Sequence, residues 1–431
     1  MASRLRRPPR RGIVADLNSV PPLSAAAIVF GFAIATMLLL ALIDSAFGGG
    51  DSPATPQRRA AARQAAPPIV DLGSSRYPST KGPKATPAPS SGAPAAPAGP
   101  PAVPLRRLVG EKLLVRMSGT LPSPSLLRRV RKGQVGGVVL FADNIGSEST
   151  LRYLTQQLQS AAKQGGSPGI LIAVDQEGGI VKRLSAGPPS RSAPQIGATG
   201  STSVARSEGS ATGRYLNGLG INVDLAPVFD TPAGPGAFIA NRAFGTDPGK
   251  VGRLASAFSS GLGDAGVAAT AKHFPGLGSA TTNTDEGRSV ISPPFASLQR
   301  QLKPFAAGIG AGIPMVMMST AIYPGYEQGV PAAFSHRIVS GVLRGQLGFQ
   351  GVVVTDDLET PAVRSYASPA QGAVAAARAG VDIVLLVRSE AGSRAAYSTM
   401  MAAAKSGQLK RSDLEASHAR IEALKQGLAA G

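Results

Sequence analysis

The feature that most constrains this chain is the recurrence of eight short apolar runs separated by stretches of helical periodicity. The runs are Leu113–Met117, Gly137–Phe141, Ile170–Asp175, Ile221–Pro227, Ala269–Phe274, Met315–Thr320, Val352–Asp356 and Asp382–Val387. Each has the length of a strand. The run Gly-Val-Val-Val-Thr-Asp ending at Asp356 and the run Asp-Ile-Val-Leu-Leu-Val ending at Val387 are continuously apolar, as strands buried on both faces are. Helical periodicity is clearest in Ser149–Gln164, Ser340–Leu347, Pro369–Ala379 and Asp413–Leu428. Eight strand and helix units in alternation predict an α/β fold over residues 105–431. Its parallel sheet is expected to close into a (β/α)₈, TIM-type barrel.

The polar residues of these runs gather at their carboxyl ends: Asp175, Asp224, Lys272, His273, Thr320, Asp356 and Asp357. In a barrel those ends form one rim, on which active sites are built. A lone Asp after a strand more often caps the next helix, and that is the role expected of Asp143, Asp247 and Asp357. Asp356 is different. A carboxylate ending an apolar strand needs partners on the rim, while Asp357, one residue on, is expected to face elsewhere.

With 43% hydrophobic residues in 431, the chain has material for one large core. There is no cysteine, which excludes disulfides and thiolate metal sites. The formal net charge is +19, but Lys and Arg are scattered and no basic stripe interleaved with aromatics appears, so no nucleic-acid partner is expected. A weak attraction to anionic polymers remains. No phosphate loop, nucleotide fingerprint, zinc spacing or hydrolase serine elbow is present, and neither cofactor nor metal is expected.

The amino-terminal hundred residues are of another kind. Arg4, Arg6, Arg7, Arg10 and Arg11 lie in a basic segment, residues 1–22, expected to be cytoplasmic. Residues 23–43 carry no charge, and as a helix they would span about 32 Å, the thickness of a bilayer core. We read them as an uncleaved transmembrane helix, since a cleaved signal peptide usually has a shorter apolar region. Residues 44–104 are expected to be a disordered linker: thirteen prolines fall among the 57 residues from Gly48 to Pro104. As polyproline that stretch would reach about 175 Å, enough to hold a domain within a cell wall, though it could equally be a tether of no particular reach. The barrel domain is thereby placed outside the cell membrane.

Five signatures occur in order. They are Gly136-Gly-Val-Val-Leu-Phe141; Val174-Asp-Gln-Glu-Gly-Gly179 with Lys182-Arg183; Gly220-Ile-Asn-Val-Asp-Leu-Ala-Pro-Val-Phe-Asp230; Lys272-His-Phe-Pro-Gly276; and Leu347-Gly-Phe-Gln-Gly351 leading into Thr355-Asp-Asp-Leu358. Together they resemble glycoside hydrolase family 3, on the branch of the single-barrel, NagZ-like β-N-acetylhexosaminidases, over residues 105 to 390 and on toward the end. The resemblance implies a retaining glycosidase that needs no cofactor and takes β-linked sugars, N-acetylglucosamine of peptidoglycan fragments above all. It makes Asp356 the nucleophile and Asp175 an acceptor of sugar hydroxyls. Arg183, Arg242, Lys272 and His273 become the donors, although Asp175 with Arg183 also fits a structural ion pair at the barrel mouth.

One part of the pattern departs from that family. Its acid/base is an Asp–His dyad after Lys-His-Phe-Pro-Gly, and here the two positions hold Asn283 and Asp285. Of three histidines, His336 and His418 fall in helices away from the rim. Two readings follow. Asp285 itself is the acid, its proton held by neighbouring negative charge from Glu286 and Asp356, with Glu286 as the alternative. Or the barrel has lost its chemistry and is a tethered sugar-binding module.

Overall fold

The computed structural model describes residues 102–430. The basic tail, the apolar run 23–43 and the linker up to residue 101 lie outside the described residues. No helix among the described residues is long and apolar enough to cross a membrane.

Eight parallel strands close on themselves. They are β1 (Leu113–Arg116), β2 (Gly137–Leu140), β3 (Leu171–Val174), β6 (Val223–Asp224), β7 (Ala268–Phe274), β8 (Met315–Met318), β9 (Val352–Asp357) and β10 (Ile383–Leu386). A small antiparallel hairpin, β4 (Gln176–Gly178) and β5 (Val181–Lys182), projects after β3. Closure shows in the pairing of β1, where Leu114 is opposite Gly137 on one side and Leu385 on the other. Every barrel strand is followed by helix, as the alternation of patterns requires. The segment with helical periodicity before β9 winds as a π-helix, Arg337–Gln346, a distinction that apolar spacing does not make.

Continuous apolarity has a simple cause here, because successive strand residues enter two different apolar layers. Leu114, Val139, Leu171, Ala173, Met315, Met317, Val352, Val354, Ile383 and Leu385 fill the barrel, while Val115, Val138, Ile172, Val316, Val353 and Val384 pack outward under the helices. The last helix, Arg411–Ala430, closes the amino-terminal end of the barrel: Ile421, Leu424 and Leu428 join the interior layer, and buried Lys425 pairs with buried Glu111. The carboxyl end stays open.

Candidate active site

A cavity of about 260 Å³ opens at the carboxyl end of the barrel, floored by the uppermost interior side chains Val139, Leu225, Met317 and Leu385. All seven residues expected of the site line it: Asp175, Arg183, Arg242, Lys272, His273, Asp285 and Asp356. Strand parity places several of them. Asp356 follows inward-facing Val352 and Val354, and Asp175 follows inward-facing Leu171 and Ala173.

Two bulges break that parity and add residues to the cavity. On β7, Ala271 is opposite Val316 but Phe274 is opposite Met318, so one extra residue is accommodated and both Lys272 and His273 reach the cavity. On β9, Val354 is opposite Ile383 while Asp357 is opposite Leu385. Asp357 consequently lines the cavity beside Asp356 instead of facing away. Nor does it cap the next helix, whose N-cap is Thr360; its carboxylate accepts from the Glu359 N–H at 2.9 Å. Asp143 also differs from expectation. It lies inside a short 3₁₀ turn and pairs with Arg116 at 2.9 Å. Asp247 is the N-cap expected, accepting from the Lys250 N–H at 2.7 Å.

The charged side chains at the cavity form a paired network. Lys272 Nζ sits 2.8 Å from Asp175 Oδ1 and 2.7 Å from Glu177 Oε1. Arg242 grips the same Glu177 in a fork, Nε to Oε2 at 2.9 Å and Nη2 to Oε1 at 2.7 Å. Burial pushes the Glu177 carboxyl up, yet the Lys272 and Arg242 charges outweigh it and hold the group at about 2. Burial likewise opposes the charge on Lys272, and Asp175 with Glu177 overcomes it, raising the ammonium to about 12. Arg183 lies 3.6 Å from Asp175 and over the Phe141 ring at 5.3 Å, and its buried Nε has no partner in the protein. Asp175 and Arg183 are thus both an ion pair and cavity lining.

The hairpin holds Arg183 in place. Gly179 turns it at a φ of 61°, where a side chain would be strained. Buried Gln176 then donates to Leu184 O at 3.0 Å and Pro188 O at 2.7 Å while accepting from the Leu184 N–H. On the far wall, fully buried Asp230 accepts from His273 Nδ1 at 2.7 Å and from the Leu277 N–H at 2.7 Å. That bond leaves His273 Nε2 for the cavity.

Asp285 stands on the loop after β7, where Asn283 Oδ1 accepts its backbone N–H at 3.1 Å. Burial first, and then the negative charge of Asp356, raises its carboxyl above the ordinary range, against the pull of His273 and Arg242. Glu286 does not line the cavity; its carboxylate accepts from Asn283 Nδ2 at 3.2 Å. Asp357, raised to about 7 chiefly by burial, is a third carboxyl in the same space. Asp224 lies buried beneath, raised to about 8 by burial, with one oxygen accepting from the Gln176 N–H. Neither it nor Thr320 lines the cavity. Among the described residues no cluster of His, Cys, Asp and Glu could hold a metal ion.

The profile of the glycosyl hydrolase family 3 N-terminal domain matches residues 113–424. This chain belongs to glycosyl hydrolase family 3. A beta-hexosaminidase of Xylella fastidiosa is 36% identical over 286 residues, covering 64% of this chain and 84% of the relative. A beta-N-acetylhexosaminidase from Beutenbergia cavernae is 36% identical, with a TM-score of 0.68 over 75% of this chain and 99% of that one. A family 3 beta-N-acetylglucosaminidase from Paenibacillus is 34% identical with a TM-score of 0.73, over 76% of this chain and 63% of that longer one. Within the family the chain stands on the NagZ-like branch, and it is a glycosidase, an enzyme of O-glycosyl bonds.

Two cavity residues of this family 3 barrel, Phe141 and Arg388, and two buried carboxylates that hold cavity side chains, Glu177 and Asp230, were not singled out from the sequence. Glu177 and Asp230 lie inside recognised motifs, but their roles depend on partners 65 and 43 residues away, Arg242 and His273. Phe141 and Arg388 follow strand ends, which was the available signal. Replacing Glu177 by Gln leaves buried Lys272 and half-buried Arg242 without their shared counter-charge. We expect Glu177→Gln to lower unfolding free energy by about 3–5 kcal/mol in urea titration. Because the folded carboxyl is depressed, its stabilisation is present above the ordinary 4.5 and is lost as pH falls toward about 2. The variant should lack that acid-dependent portion, and a loss below about 1 kcal/mol would show that Glu177 does not anchor the network.

Proposed function

We propose that this family 3 glycosidase is a retaining β-N-acetylhexosaminidase that releases N-acetylglucosamine from cell-wall fragments. The observation that carries the reading is the meeting of Asp356 and Asp285 in one cavity, close enough for the first carboxylate to raise the second, among the Asp175, Lys272, Arg242 and His273 network. In the first step Asp356 attacks the anomeric carbon as Asp285 gives its proton to the departing glycosidic oxygen, so the C–O bond to the aglycone breaks and a glycosyl–Asp356 ester forms. In the second, the Asp285 carboxylate takes a proton from water, whose oxygen displaces Asp356 from the anomeric carbon. The sugar leaves with its configuration retained. The sugar type comes from the relatives named hexosaminidase and N-acetylglucosaminidase, and the cell-wall source from the NagZ-like resemblance, which the anchor and linker reading of residues 23–104 suits.

A panel of chromogenic β-glycosides on the full chain, over a wide pH range, tests the activity. N-acetylglucosaminide turnover well above that of glucoside or xyloside supports the reading. No turnover of any of them, together with binding of N-acetylglucosamine, would replace it with a sugar-binding module, which the absent Asp–His dyad favours. The anchor at residues 23–43 is tested by a carboxyl-terminal reporter: cytoplasmic behaviour, or a shortened soluble product in the medium, would overturn it.

A further inference from the structure

The opposite end of the barrel carries a second concentration of charge that the glycosidase chemistry does not use. A cavity of about 230 Å³ lies there, against the starts of β1 and β10, and an adjoining one of about 320 Å³ shares Lys112, His336, Arg378 and Asp413 with it. Five cations face the two cavities, Lys112, Arg344, Arg378, Lys410 and Arg420, against two carboxylates, Asp382 and Asp413.

Asp382 is already spoken for. It is fully buried and pairs with Arg344 at 2.6 Å and with Arg420 at 2.8 Å, while one of its oxygens also accepts from the Val353 N–H. One negative charge thus faces two guanidinium groups. Lys112, only 2% exposed, has no carboxylate on its amino group; Nζ donates to Val381 O and Ser417 Oγ, both at 2.8 Å. Arg378 and Lys410 stand at the exposed edge, and among the described residues neither forms an ion pair. A structural lock needs balanced charge, because uncompensated cations in a partly dry cavity are costly. Here the excess is positive, concave and lined with N–H donors, the complement of a compact anion with several acceptor oxygens.

We propose that the two adjoining cavities form one anion site for a phosphate group, bound by Lys112 and Arg378, which line both, and by Lys410 at the edge of the second. The state of Lys112 agrees: burial lowers its ammonium to about 8, with Arg420 and Arg344 acting in the same direction and Asp382 and Asp413 against it. A bound phosphate supplies the missing counter-charge. The group could be free or carried on a lipid headgroup, and the two sources share the same recognition chemistry.

The experiment uses the full chain in neutral detergent, titrated calorimetrically with inorganic phosphate and, separately, with short-chain phosphatidylglycerol, against chloride and phosphatidylcholine at equal ionic strength. Saturable binding of phosphate alone assigns the site to free phosphate, and binding of phosphatidylglycerol as well assigns it to a headgroup. Arg378→Gln and Lys410→Gln, both exposed and therefore expected to fold, should each weaken that binding about tenfold while leaving glycosidase activity unchanged. A flat titration in wild type overturns the proposal. So does binding that neither substitution weakens, since that would place the anion among the cations of the active site.

Discussion

Asp356→Asn should abolish turnover, lowering kcat by about 10³-fold or more while N-acetylglucosamine binding and thermal stability stay close to wild type. The expectation follows from geometry. Asp356 lies near the end of β9 on the inward parity of Val352 and Val354, and among the described residues its carboxylate accepts only from the Asp357 N–H, at 2.8 Å. The ion-pair network of Asp175, Glu177, Lys272 and Arg242 is closed without it. The side chain therefore holds up little of the fold and is free to meet a bound substrate. Kinetics on the best chromogenic substrate, paired with a binding titration, check the result. Near-wild-type turnover would move the nucleophile elsewhere, and the neighbouring carboxyl of Asp357 would be the first place to look.

The second large effect concerns Asp285, and it depends on the leaving group. Asp285→Ala should slow substrates with poor leaving groups by about 10²- to 10⁴-fold but leave activated aryl glycosides much less affected, since only the former need a proton in the transition state. Burial and the Asp356 charge hold the Asp285 proton on above the ordinary carboxyl range, so the alkaline limb of the wild-type rate should lie correspondingly high. In Asp356→Asn one source of that upward shift is gone. Rebuilding the dyad with Asn283→Asp and Asp285→His should preserve activity or move its optimum upward, because imidazole titrates above a carboxyl. A uniform loss across leaving groups would instead give Asp285 a positioning role through the loop that it shares with Asn283.

The sequence by itself determined the barrel, its rim and the strand-end residues Asp175, Lys272, His273 and Asp356 on that rim, while Arg183, Arg242 and Asp285 were implied by the resemblance to family 3. The strand-end set rests on local properties: strand length, apolar continuity and the polar residue at a strand's end are set by neighbours in the chain. It also determined the apolar run at residues 23–43 and the proline-rich stretch after it, which lie outside the described residues. What only the tertiary structure decided depends on register between strands and on pairing across the barrel. The two bulges are mismatches between neighbouring strands, invisible in either strand alone, and they bring Asp357 into the cavity and His273 beside Lys272. Glu177 becomes the centre of the charge network only because closure carries β7 and the Arg242 turn to the hairpin after β3. The choice of Asp285 over Glu286 as the cavity carboxyl is set by how one loop folds over the rim, where an Asn283 side chain, and no periodicity, fixes the direction of each.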